Sequence, residues 1–110
     1  MYQTHTFTIS AGVTSLDIEK HKLGGQGIAD YYRNAQISVE GLGGGSYTVN
    51  YRVPEGRTWR EHVAGATEAD TVMIAGSRGP LVEALQIELA NVPAQNTPRV
   101  VLNLWSRGVV

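Results

Sequence analysis

Tyr47-Thr48-Val49-Asn50-Tyr51-Arg52-Val53 sets the fold class of this chain. Tyr47, Val49, Tyr51 and Val53 hold one set of alternate positions, and Thr48, Asn50 and Arg52 hold the other. In extended backbone, successive side chains point to opposite faces, so this stretch predicts a strand with one apolar and one polar face. Pro54-Glu55-Gly56 follows and predicts a turn, with proline presetting one dihedral and Gly56 accepting the positive φ. On the other side, Gly41-Leu42-Gly43-Gly44-Gly45-Ser46 is too glycine-rich for regular structure and predicts a hairpin loop.

The same alternation recurs toward both ends. Gln3, His5, Phe7 and Ile9 alternate with Thr4, Thr6, Thr8 and Ser10; residues 14–19 place Leu16 and Ile18 on one face. Residues 20–27 carry three glycines and read as a mobile loop, and residues 28–34 are open between one helical turn and a strand. Residues 36–40 alternate again. Beyond the central strand, residues 58–63 set Trp59, Glu61 and Val63 on one side. Residues 64–69 read as a turn region, residues 70–75 as a strand, and Gly76-Ser77-Arg78-Gly79-Pro80 as a break. In residues 81–91, Leu81, Leu85 and Glu88 have helical spacing. Leu85, Ile87 and Leu89 alternate with Gln86 and Glu88, however, and Gly79-Pro80 supplies no capping box, so a strand is favoured. A loop at 92–98 leads into a final strand beginning at Arg99.

Seven or eight short strands at this spacing, separated by turn residues, predict a single all-β domain over residues 1–110. The expected architecture is an antiparallel β-sandwich, Ig-like or jelly-roll-like. The expected core is Phe7, Ile9, Leu16, Ile18, Ile37, Val39, Val49, Tyr51, Trp59, Val72, Ile74, Leu85, Ile87, Leu89, Leu102 and Leu104.

Composition excludes several classes of function. The 110 residues contain no cysteine, so there is neither a disulfide framework nor a cysteine zinc site. A net charge of −1 and a pI near 6.3 oppose nucleic-acid binding, for which a basic stripe and a pI above ~9 are usual. No apolar run approaches the ~18 residues of a membrane helix. The N-terminal residues have neither a basic nor an apolar leader region, so no signal peptide is expected and synthesis in a cytoplasm is expected.

Chemistry is sparse. His5, His21 and His62 share no metal-site spacing, and His21 lies between Lys20 and Lys22. The pairs Asp17/Glu19 and Glu68/Asp70 share strand faces by alternation alone. There is no nucleophile elbow, and the two glycine runs match no phosphate-binding pattern. Glu61 and Glu83 are the candidate carboxylate pair, with nothing to single them out. No catalytic, cofactor or metal residue is therefore expected. Tyr31, Tyr32, Tyr47, Tyr51, Trp59 and Trp105 offer aromatic faces for a sugar platform, in competition with core packing and interface anchoring.

The later half of the chain resembles strand segments of accessory virion proteins of tailed bacteriophages. It does so through Asp70-Thr71-Val72-Met73-Ile74-Ala75-Gly76, Gly79-Pro80-Leu81-Val82-Glu83-Ala84-Leu85-Gln86-Ile87, the loop that follows, and residues 100–105. Those proteins include head decoration or cement proteins and modules of tails and fibres. The resemblance implies a non-enzymatic virion protein that binds capsid or tail subunits and self-associates; the alternative is a carbohydrate- or receptor-binding module. Candidate partner-binding residues are Tyr31, Tyr32 and Arg33, Leu42 in the second glycine run, and Val109 and Val110 at the end of the chain.

Overall fold

The computed structural model describes residues 2–25, 28, 34–75 and 82–105. Eight strands follow one another: β1 (Tyr2–Thr8), β2 (Ser15–Ile18), β3 (Asn34–Glu40), β4 (Ser46–Arg52), β5 (Arg60–Ala66), β6 (Val72–Ala75), β7 (Ala84–Ala90) and β8 (Arg99–Trp105). They form two four-stranded antiparallel sheets, sheet I in the order β1-β8-β3-β6 and sheet II in the order β2-β7-β4-β5. The architecture is the all-β sandwich expected.

Its topology separates the two expected variants. β1 pairs with β8, β2 with β7, β3 with β6 and β4 with β5. These pairings nest, so the chain is one long two-stranded ribbon with the β4–β5 turn at its tip. Winding the ribbon brings β8 beside β3 and β7 beside β4, which completes both sheets. An eight-stranded double sheet wound in this way is a jelly roll. Residues 84–90 are the strand β7, as the alternation of Leu85, Ile87 and Leu89 indicates.

Most of the expected core is buried between the sheets, including Ile9, Ile18, Ile37, Val39, Val49, Val72, Ile74, Leu85, Ile87, Leu102 and Leu104. Phe7, Leu16, Tyr51 and Leu89 are only partly buried and pack on its margin. Leu42, Tyr47 and Val100 join the core with no exposed surface. Tyr47 reaches across the fold so that its hydroxyl donates to the Asp70 carbonyl at 3.4 Å. Burial, and after it the Asp70 charge, raises the Tyr47 phenol above its ordinary range.

Several local expectations are corrected. Residues 41–45 are not a hairpin loop but an arch carrying the chain from β3 in sheet I to β4 in sheet II. The arch is anchored to the β7–β8 connection: Asn96 Nδ2 donates to the Gly41 carbonyl at 3.1 Å, and a Cβ on Gly45 would lie 2.7 Å from the Ala90 carbonyl oxygen. In residues 20–27, Lys20–Lys22 form a 3₁₀ turn and Leu23 is buried; Gln26 and Gly27 lie outside the described residues. In the β4–β5 turn the positive φ of 62° falls on Glu55, not on Gly56. Gly56 is needed for another reason, since a Cβ there would come within 2.7 Å of Val53 Cγ2. Residues 64–66 continue β5 and do not turn. Two register shifts in β5 turn Val63 inward opposite Val49 while Glu61 faces outward opposite Asn50, so these residues do not share a side. Trp59 leaves the core and lies half-buried against Arg52.

Candidate functional site

The two outer faces of the sandwich differ in chemistry. On sheet II, register places Asp17, Gln86, Asn50 and Glu61 in one row across β2, β7, β4 and β5. Gln86 Nε2 donates to Asp17 Oδ1 at 2.8 Å, and Asn50 Nδ2 donates to Gln86 Oε1 at 3.0 Å and to Glu88 Oε1. Asn50 points outward yet is only 6% exposed, because its neighbours cover it. Burial of an amide requires partners, and this chain of bonds supplies them.

The next row on the same face is built around Arg52. Its guanidinium reaches past the fully buried Ala84 to Glu19 Oε1 at 2.6 Å, and it lies 4.9 Å from the centroid of the Trp59 ring. The hydrogen bond from Arg52, opposed by partial desolvation and aided by the charges of Arg52, His21 and Lys22, holds the Glu19 carboxyl below its usual range. The face thus presents Asp17, Glu61 and Glu88 beside the Glu19–Arg52 ion pair, with the Lys22 ammonium donating to the Asp17 carbonyl at 2.6 Å.

Sheet I presents the opposite character. Thr4, Asn103, Gln36 and Met73 form one outer row, and Thr6, Val101 and Ser38 form the next. Thr4 Oγ1 donates to Asn103 Oδ1 at 2.6 Å, and Asn103 Nδ2 donates to Gln36 Oε1 at 3.3 Å. Met73 is 48% exposed. Among the described residues, charge enters this face only in the row Thr8–Arg99–Glu40, at one end. At that end of the sandwich, an open cavity of about 120 Å³ is lined by Val13, Leu89, Val92, Pro93 and Pro98, with Asn91 and Asn96 among its polar neighbours.

Of the residues expected to bind partners, Leu42 is fully buried in the arch between the sheets and offers no surface. A leucine flanked by glycines has no local pattern that reveals its direction; the arch turns it inward. Tyr31, Tyr32, Arg33, Val109 and Val110 lie outside the described residues. Among the described residues the aromatic platform is not assembled: Tyr47 is buried, Tyr51 packs edge-on to His62, Trp59 precedes β5 against Arg52, and Trp105 lies in β8 of the other sheet. Asp17 and Glu19 engage Gln86 and Arg52, while Glu68 and Asp70 engage Gly41 and Thr67. His62 Nε2 lies 2.8 Å from the Met73 carbonyl and bridges the two sheets. Among the described residues, no three His, Asp or Glu side chains are grouped to hold a metal ion. The alternation marks Asn50, Gln86 and Glu88 only as outward polar positions; their partnership in one network depends on cross-strand register. No protein-family model matches the chain, and no curated protein matches it.

Proposed function

We propose that this chain is a non-enzymatic structural protein of a bacteriophage particle, of the capsid-decoration type, which holds neighbouring subunits together by binding them. The observation that carries this reading is the uncharged centre of the outer face of sheet I. Its two central rows, Thr4–Asn103–Gln36–Met73 and Thr6–Val101–Ser38, contain no ionisable side chain. Desolvating charge is costly, so the centres of protein interfaces are depleted in charged residues and enriched in methionine and aromatics. Met73 lies in one of these rows, and Trp105 continues the outer face of β8. The end cavity supports the same reading. At about 120 Å³ it is well below the ~300–1,000 Å³ of small-molecule sites, and its apolar lining suits one aliphatic side chain of a protein partner. The partners are repeating capsid or tail subunits, with self-association of the chain on the lattice.

The test is co-sedimentation with the particle of its source. The protein is expected to pellet with the particle at fixed stoichiometry to the coat subunit. Val101→Glu is expected to abolish pelleting while leaving the thermal unfolding midpoint within a few degrees. Particles that sediment with no bound protein above background would overturn the reading.

A further inference from the structure

We propose that the outer edge of β1 pairs with β1 of a second copy of this chain, antiparallel about a two-fold axis. The pairing joins two copies of sheet I into one eight-stranded sheet. It rests on the self-association in the reading above and names the surface that performs it.

An edge strand presents a row of backbone groups to any extended chain, and proteins protect such edges with short strands, charge, proline or bulges. The sandwich has four edges, β1 and β6 in sheet I and β2 and β5 in sheet II. β2 has four residues and carries Asp17, whose carbonyl accepts from Lys22 Nζ at 2.6 Å. β6 also has four residues, and its Met73 carbonyl lies 2.8 Å from His62 Nε2. β5 opens on Arg60 and Glu61 and shifts register twice against β4. β1 has none of these devices. It runs for seven residues with no Asp, Glu, Lys, Arg or Pro, and its register with β8 is unbroken. Among the described residues, β8 is its one partner strand.

The direction of its backbone groups follows from one bond. The Ile9 N–H donates to the Pro98 carbonyl at 2.8 Å, one step beyond the pairing of Thr8 with Arg99. Bonded and non-bonded pairs alternate along an antiparallel ladder. Phe7 and His5 therefore bond to β8, whereas Thr6 and Thr8 direct their backbone groups to the outer edge.

The sequence of β1 suits a copy of itself. A two-fold axis at His5 sets Thr4 opposite the partner's Thr6 and Gln3 opposite the partner's Phe7. Threonine pairs are favourable across strands, and identical strands without charged residues meet without repulsion. A partner selected by opposite charge would find nothing on β1 to read. Both uncharged rows of the outer face also end on β1. Placing Thr4 beside the partner's Thr6 joins the row Met73–Gln36–Asn103–Thr4 to the partner's Thr6 row, so the uncharged centre doubles in width. The contact is isologous, so it closes at a dimer.

The experiment is sedimentation equilibrium of the full chain with no particle present. A monomer–dimer equilibrium is expected between micromolar and low millimolar concentration, without larger species. Thr6→Pro removes an edge N–H that the fold does not use, as edge strands tolerate. It is expected to weaken dimerisation at least about tenfold while the thermal midpoint stays within a few degrees. Val101→Glu, which reads particle binding, is expected to leave the dimer intact. Hydrogen exchange at the Thr6 and Thr8 amides is expected to slow as concentration rises, a readout that holds even if the proline variant does not fold. The proposal is overturned by a chain that stays monomeric at low millimolar concentration, by a folded Thr6→Pro dimer as tight as the wild type, or by exchange at these amides that ignores concentration. A dimer lost in Val101→Glu would place the contact on the face and also overturn it. Because no particle is present, failure here leaves the co-sedimentation test of particle binding intact.

Discussion

Glu68 Oε1 accepts a hydrogen bond of 2.6 Å from the backbone N–H of Gly41, 27 residues earlier in the chain. The bond ties the β5–β6 loop to the arch between the sheets. Asn96 holds the Gly41 carbonyl from the β7–β8 loop, so three connections meet at one residue. Glu68→Ala is expected to lower stability by about 1 kcal/mol, modest because the site is exposed. The urea midpoint should fall with an unchanged slope; an unchanged midpoint would show that the latch contributes nothing.

Glycines in the arch differ in what they tolerate. Gly43 has φ of 58°, and a Cβ there would lie 2.7 Å from Asn96 Nδ2 and 3.0 Å from Pro93. Gly44 has φ of 89° with open space around it. Gly44→Ala is expected to cost about 1–2 kcal/mol from the backbone alone. Gly43→Ala is expected to cost about 1 kcal/mol more, because the rigid Pro93 ring cannot yield. Equal losses in denaturant unfolding would contradict the packed arch.

Leu42 and Val13 are loop residues in opposite environments. Leu42 has no exposed surface, whereas Val13 is 47% exposed. Leu42→Ala is expected to destabilise by about 2–5 kcal/mol, as for a core leucine. Val13→Ala is expected to stay within about 0.5 kcal/mol. Thermal unfolding of the two variants would separate them clearly.

The Glu19–Arg52 pair predicts a pH dependence. The hydrogen bond from Arg52 lowers the folded-state pKa of Glu19 below its usual 4.5. A carboxyl depressed in the folded state contributes stability above the unfolded-state value and loses it as pH falls through the folded-state value. The stability difference between the wild type and Glu19→Gln should therefore be open near neutrality and close on acidification below about 4.5. With side-chain exposures of 22% and 35%, solvent screening keeps the difference under about 1 kcal/mol. A gap that persists unchanged into strong acid would exclude the pair as its source.

Legibility in the chain followed the range of the interactions. The alternation of Tyr47, Val49 and Tyr51, and of Leu85, Ile87 and Leu89, identified strands because pleating is a property of neighbouring residues. The bulges in β5 were not legible, since a register shift exists only relative to β4. For the same reason Asn50 read as a solvated position, while three strands in register bury it beneath Gln86 and Glu88.

Local pattern thus established an all-β sandwich, the direction of most core side chains, and a chain without cysteine or basic stripe. Which strands share a sheet, the nesting that makes a jelly roll, the inward turn of Leu42 and the contrast between the outer faces came from the fold. Side-chain alternation is encoded by adjacent residues. Sheet order depends on pairings such as Phe7 with Val100, where hydrophobic contact and hydrogen bonding join residues far apart along the chain.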